Sequence, residues 1–166
     1  MRAYARKFGE DEELWGICGL LHDFDYEKYP KPDAAAKTGH PFEGEKILRE
    51  KGYPEEVMHI ILGHATYSGV PRDTNAAKCL FAVDELCGFV MAVAYLKLDR
   101  LAVSPPNPFA SLTVQSVEKR LKEKKFAAKV SREDIEQGIV ELGVERAAHI
   151  QTVITAMAGI ADKLFS

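Results

Sequence analysis

The adjacent residues His22 and Asp23 offer an imidazole and a carboxylate, two side-chain types that first-row divalent metals readily take as ligands. His22 stands four residues after Cys18 and eight after Leu14, so on a helix it extends an apolar face. Asp23 stands four residues after Gly19 and shares the lean side of that helix. Burying a carboxylate beside an imidazole is costly unless something cationic compensates. A divalent metal would do so. A helix-terminal pair facing solvent is the plainer alternative.

Three further positions bear on the choice. Asp84 has Ala77, Leu80, Phe81, Cys87, Gly88 and Met91 as its neighbours at helical spacing, so it falls on a core-facing stripe while Glu85 points elsewhere. A buried aspartate needs a partner, either a metal or a base such as Lys78 or an arginine. His64 follows Ile61, Ile60 and Val57 by three, four and seven residues and lies on the apolar side of its helix. His59 follows Glu55 and Glu56 and points about 140° away from His64, toward water. His40, before Pro41, sits at a helix N-cap with its ring free to face a neighbouring cleft. His149 reads as a surface or satisfied core histidine.

The elements that must position these groups are helical. Gly9 should end a short helix through Tyr4 to Phe8, and the acidic run Glu10-Asp11-Glu12-Glu13 should open a second. The Tyr26–Gly39 segment holds two prolines and reads as a loop. Pro41 fits the first position of a helix that Gly52 ends, and Pro54 starts the next. Thr74 should cap a long helix to about Leu96. Ser104-Pro105-Pro106-Asn107-Pro108 breaks the chain. Ser131-Arg132-Glu133-Asp134 resembles a capping box, and Gly143 divides that helix from the last.

The bulk properties set the frame. At 166 residues, 46% hydrophobic and 28% charged, the chain is expected to be one all-α domain, residues 1–166. Residues 1–103 would form the metal-binding core, with C-terminal helices 104–166 packed on it. A net charge of −3 gives no global attraction for nucleic acid, which is disfavoured as a partner. Cys18, Cys79 and Cys87 show no paired spacing and read as buried reduced thiols of a cytoplasmic protein. No signal-peptide core follows Met1, and the apolar stretch Cys79–Leu96 carries Asp84 and Glu85, so a buried helix is expected rather than a membrane span.

The ordered segments GLLHDFDYE (Gly19 to Glu27), HPFEG (His40 to Gly44), ILGHA (Ile61 to Ala65) and AVDELCGF (Ala82 to Phe89) resemble the motifs of HD-domain hydrolases. More narrowly, they are similar to the small HDIG-type members, a likeness that extends to SVEKRLKEKKFAAKVSREDI (Ser116 to Ile135). The resemblance implies a helical bundle with a buried metal centre. His22, Asp23 and Asp84 would ligate one metal, and Asp23 would bridge to a second held by His40 and His64. The ions would be one or two of iron, manganese, magnesium, cobalt or nickel. The reaction would be hydrolysis of a phosphate ester by metal-activated water, on a nucleotide or other small phosphorylated compound.

The family pattern begins with another histidine upstream of the His-Asp pair, and none precedes His22 here. The first metal is therefore expected to have three protein ligands, unless the reading frame starts upstream of Met1. A non-catalytic HD-fold module that binds a nucleotide or partner through a degenerate centre is the alternative to an enzyme. The cationic run Lys119, Arg120, Lys122, Lys124, Lys125, Lys129 and Arg132 reads most plainly as a solvated helix face. Its sharper reading has Lys124 or Lys125 holding a substrate phosphate. Asp25, in the loop after the His-Asp pair, is the candidate either for supporting a metal ligand from behind or for proton transfer. A homodimer is compatible with all of this.

Overall fold

The computed structural model describes residues 1–98 and 107–165. Among them the regular structure is helical, and the extended pairing consists of a single isolated antiparallel bridge between Asp33 and Thr38. The chain divides into two compact units, Met1–Phe81 and Ala82–Ser166.

The first unit opens with α1 (Arg2–Phe8) and α2 (Glu12–Leu21). Gly9 ends α1 at φ 71°, a left-handed geometry that costs glycine little. The Asp11 carboxylate then caps α2, accepting the N–H groups of Glu13 at 2.8 Å and Leu14 at 3.1 Å. α3 (Phe42–Glu50) and α4 (Glu55–His64) follow. α1 packs on α2, and both α2 and α3 pack on α4. Tyr4, Trp15, Cys18, Leu48, Met58, Ile60 and Ile61 are buried and form its core.

Two boundaries differ from the sequence-based expectation. α2 stops at Leu21, so His22 is its C-cap and Asp23 lies in the turn beyond, not on a helix face. The cause is a tightening of the chain: Phe24, Tyr26 and Lys28 donate to the carbonyls three residues back, of Leu21, Asp23 and Asp25. Pro41 adopts φ −91° and ψ 8°, outside the helical region, and α3 opens one residue later than expected.

α5 (Asn75–Leu98) starts in the first unit, where Thr74 Oγ1 accepts the Ala77 N–H at 3.2 Å. Its Asn75–Leu96 stretch is long and apolar enough to cross a membrane by composition. Leu80, Leu86, Phe89, Val90, Val93 and Ala94 are nevertheless buried within the fold, as in a core helix.

The second unit continues with α6 (Val114–Leu121), α7 (Arg132–Leu142), α8 (Arg146–Ala158) and α9 (Ala161–Leu164). Thr113 and Ser116 form a reciprocal capping box at α6. At α7 the expected box is only half formed. Ser131 Oγ accepts the Asp134 N–H at 3.1 Å, but the Ser131 N–H donates to Glu85 rather than back to Asp134. Gly143 ends α7 at φ 69°, and the Glu145 carboxylate caps α8. His149 is fully buried and its Nε2 meets the Ala82 carbonyl at 3.0 Å, so it is a satisfied core histidine.

The cationic run is not one helix face. α6 ends at Leu121, and Lys124 and Lys125 are exposed in the turns beyond it. Arg132 is partly buried instead, with its guanidinium 4.8 Å from the Phe89 ring centroid. It donates to the carbonyls of Phe126, Ala127 and Val130. In the expected chain break, Ser104, Pro105 and Pro106 lie outside the described residues.

Candidate metal centre

Three imidazoles of the first unit meet around one carboxylate. His22 comes from the end of α2, His40 from the residues before α3, and His64 from the last turn of α4. The Nε2 atoms of His40, His22 and His64 stand 3.2, 3.4 and 3.6 Å from Asp23 carboxylate oxygens. One ligand atom each from Asp23, His40 and His64 falls within a mutual 4.8 Å. His40 and His64 are 3% and 8% exposed, whereas the Asp23 side chain is 50% exposed. Asp23 is thus the open member of a cluster whose imidazoles are withdrawn.

What lies behind each ring fixes its tautomer. His22 Nδ1 faces the Gly19 carbonyl at 3.0 Å, and His64 Nδ1 faces the Ile61 carbonyl. A carbonyl can only accept, so both Nδ1 atoms carry hydrogen, and in the neutral rings both Nε2 atoms present lone pairs. His40 Nδ1 donates to Asp25 Oδ1 at 2.7 Å, and Asp25 Oδ2 accepts the Gly44 N–H at 2.7 Å. Metal-bound histidines characteristically donate their second ring N–H to a carboxylate or backbone carbonyl in this way.

The Nε2 atoms of His40 and His64 are 3.1 Å apart. Two bare lone pairs at that separation repel, and either a shared proton or a metal cation between them relieves the repulsion. Two imidazole nitrogens at about 2.1 Å from one ion, and at right angles, stand about 3 Å apart. The donor set fits a divalent metal.

Electrostatics agree with a site built for positive charge. Burial alone would raise the Asp23 carboxyl, but the His40 hydrogen bond and the His22, His64 and His40 charges outweigh it and hold it below the usual aspartate range. Burial alone would lower His40, but its bonds to Asp23 and Asp25 prevail and raise it. Burial pushes the Tyr67 phenol up, and the Asp23, Asp25 and Tyr26 charges push the same way. Tyr67 Oη donates to the His40 carbonyl at 3.0 Å, and the Tyr26 ring stands 5.3 Å from the His40 ring at 79°.

Of the other sequence-derived candidates, Asp25 is 2% exposed and sits behind His40, not beside open solvent. Asp84 is half-buried on α5 and Lys124 and Lys125 are exposed, all three within the second unit. His59 pairs with Asp73 at 2.7 Å, away from the imidazole cluster. Tyr67 and Gly44 join the site from outside the sequence-derived candidates. Tyr67 lies in a short 3-10 turn, Thr66–Ser68, that carries no periodic signal. Gly44 was visible within HPFEG, and its role is steric: a Cβ there would lie 2.8 Å from Asp25 Cγ.

The HD domain family profile matches residues 1–88, the span that holds every residue of this cluster and Asp84. The chain belongs to the HD-domain family, whose members commonly bind divalent metals and act as hydrolases. No match was found among curated proteins or among solved structures.

Proposed function

We propose that this protein is a metal-dependent phosphohydrolase acting on a small phosphorylated compound, a nucleotide among the candidates. The observation that carries the proposal is the convergence of three imidazoles on Asp23, each with Nδ1 tied back and Nε2 turned inward. Such tethering holds the lone pairs in place before any cation arrives. His22, Asp23, His40 and His64 would hold the metal, and the family resemblance adds Asp84. Iron, manganese, magnesium, cobalt and nickel all suit a mixed imidazole and carboxylate shell.

A divalent cation supplies two things to phosphate-ester hydrolysis: it neutralises charge on phosphoryl oxygens and makes water a better nucleophile at neutral pH. The chain's own residues do the rest. Asp23, half in solvent, stands where substrate would enter. Asp25 acts as a positioning residue, since it is buried and touches the His40 ring and the Gly44 backbone. Lys124 and Lys125 would hold substrate phosphate as point charges. We place the protein in the cytoplasm.

Phosphate release from a panel of mononucleotides, sugar phosphates and phosphodiesters tests the reading. Turnover by the native chain that is lost in Asp23→Ala supports it. Retained metal with no turnover of any member would favour the non-catalytic binding module.

A further inference from the structure

Two tyrosines border the cluster without belonging to it. Tyr26 is 52% exposed and Tyr67 is 44% exposed, although both touch His40, which is 3% exposed. Tyr26 stands against the His40 ring from the turn after Asp23. Tyr67 is anchored by its hydroxyl to the His40 carbonyl, and its ring leans on Phe42 with centroids 6.4 Å apart. Both are therefore held by the same residue, which itself stands 3.2 Å from the half-exposed Asp23 carboxylate, and the Tyr26 N–H donates to the Asp23 carbonyl at 3.0 Å.

We propose that Tyr26 and Tyr67 are specificity-determining residues that seat a flat ring on the alcohol portion of the phosphate ester. The proposal rests on the phosphohydrolase reading and deepens it. Exposed aromatic faces that are already ordered offer stacking surface at low entropic cost. Tyr67 is ordered by its hydroxyl bond and by Phe42, and Tyr26 by His40. A phosphate at Asp23 leaves the remainder of a small ester beside these rings. A nucleobase and a simple aryl group share the required chemistry, a planar π face, whereas an unsubstituted sugar phosphate lacks it.

Calorimetric titration of the full chain, purified without chelator, with AMP, phenyl phosphate, ribose 5-phosphate and inorganic phosphate tests this. Stacking on one aromatic side chain is worth roughly tenfold in affinity. The native protein should bind AMP at least about tenfold more tightly than ribose 5-phosphate, and Tyr26→Ala should bring that ratio toward one. Tyr26→Phe, which keeps the ring, should preserve it. Phenyl phosphate binding as tightly as AMP would identify a general aryl seat, and weaker binding would identify a seat for the larger base. Tyr26→Ala carries the test even where a Tyr67 variant fails to fold, because Tyr26 is the more exposed of the two. Phosphate affinity without ring preference in the native chain, or a ratio unchanged in Tyr26→Ala, overturns the proposal and leaves the phosphohydrolase reading standing. No affinity for any of the four ligands overturns the proposal as well, and the phosphohydrolase reading then stands or falls on phosphate release from the wider panel.

Discussion

Gly44 donates its backbone N–H to Asp25 at 2.7 Å, and the same closeness leaves no room for a side chain, since a Cβ at Gly44 would lie 2.8 Å from Asp25 Cγ. The first turn of α3 is thus fitted against the carboxylate that aims His40. Gly44→Ala should displace Asp25 and loosen His40. Loss of such outer support typically lowers metal affinity by about 10–100-fold. Competition titration with a chelating dye would measure it, and native affinity in Gly44→Ala would contradict the role assigned to the close approach.

Asp25→Asn makes a complementary test. Asp25 accepts two hydrogen bonds, one on each carboxylate oxygen. An asparagine has a single acceptor oxygen, so either His40 Nδ1 or the Gly44 N–H loses its partner. Metal affinity should fall by about 10–100-fold while metal-saturated turnover falls less. An equal collapse of turnover at saturating metal would show that Asp25 takes a direct part in the reaction.

Stability should depend on pH through the α8 cap. The Ala147 and Ala148 backbone N–H groups hold the Glu145 carboxyl below its ordinary value. A depressed folded-state pKa contributes stability that is present above the unfolded-state pKa and is lost as pH falls through the folded value. Glu145→Ala should therefore lower the melting temperature at neutral pH, and the gap to the native chain should narrow in acid. A gap that stays constant to low pH would show that the charged cap contributes nothing.

Arg132 offers a test of the second unit. Its guanidinium donates to three backbone carbonyls and lies over Phe89, work that a lysine ammonium on a flexible stem cannot reproduce. Arg132→Lys should destabilise the protein by about 1–3 kcal/mol, read from urea unfolding. A change within about 0.5 kcal/mol, the usual range of surface substitutions, would contradict this account.

Gly138 provides the steric counterpart within the same unit. A Cβ on it would lie 2.5 Å from Ala82 Cα, a backbone atom that cannot swing aside. Gly138→Ala should cost about 1–3 kcal/mol by overpacking, despite alanine's better helix propensity. Native stability in that variant would show that α7 can shift without penalty.

Much of this was legible from residue types alone. Gly9, Asp11, Thr74 and Gly143 occupy the caps that their chemistry predicts, because cap interactions are local and need no knowledge of the fold. His64 lies buried on the apolar side of α4, as its spacing indicates. The HD family was readable in the order of the short motifs. Tertiary choices were not. Nothing in the periodicity marks that α2 unwinds at His22, that Glu85 takes the Ser131 N–H from the expected capping box, or that Arg132 turns inward while Lys124 and Lys125 stay in solvent. Tyr67 is placed by one hydroxyl-to-carbonyl bond across 27 residues, a contact that no local pattern announces.

Elemental analysis of chelator-free protein, native and Asp23→Ala side by side, addresses the metal centre without reference to any substrate. The account predicts one or two equivalents of a divalent transition metal or magnesium in the native chain, and a sharp loss in the variant with its helical content intact. A native chain free of metal, and still free after dialysis against manganese, iron, cobalt, nickel and magnesium in turn, would contradict it.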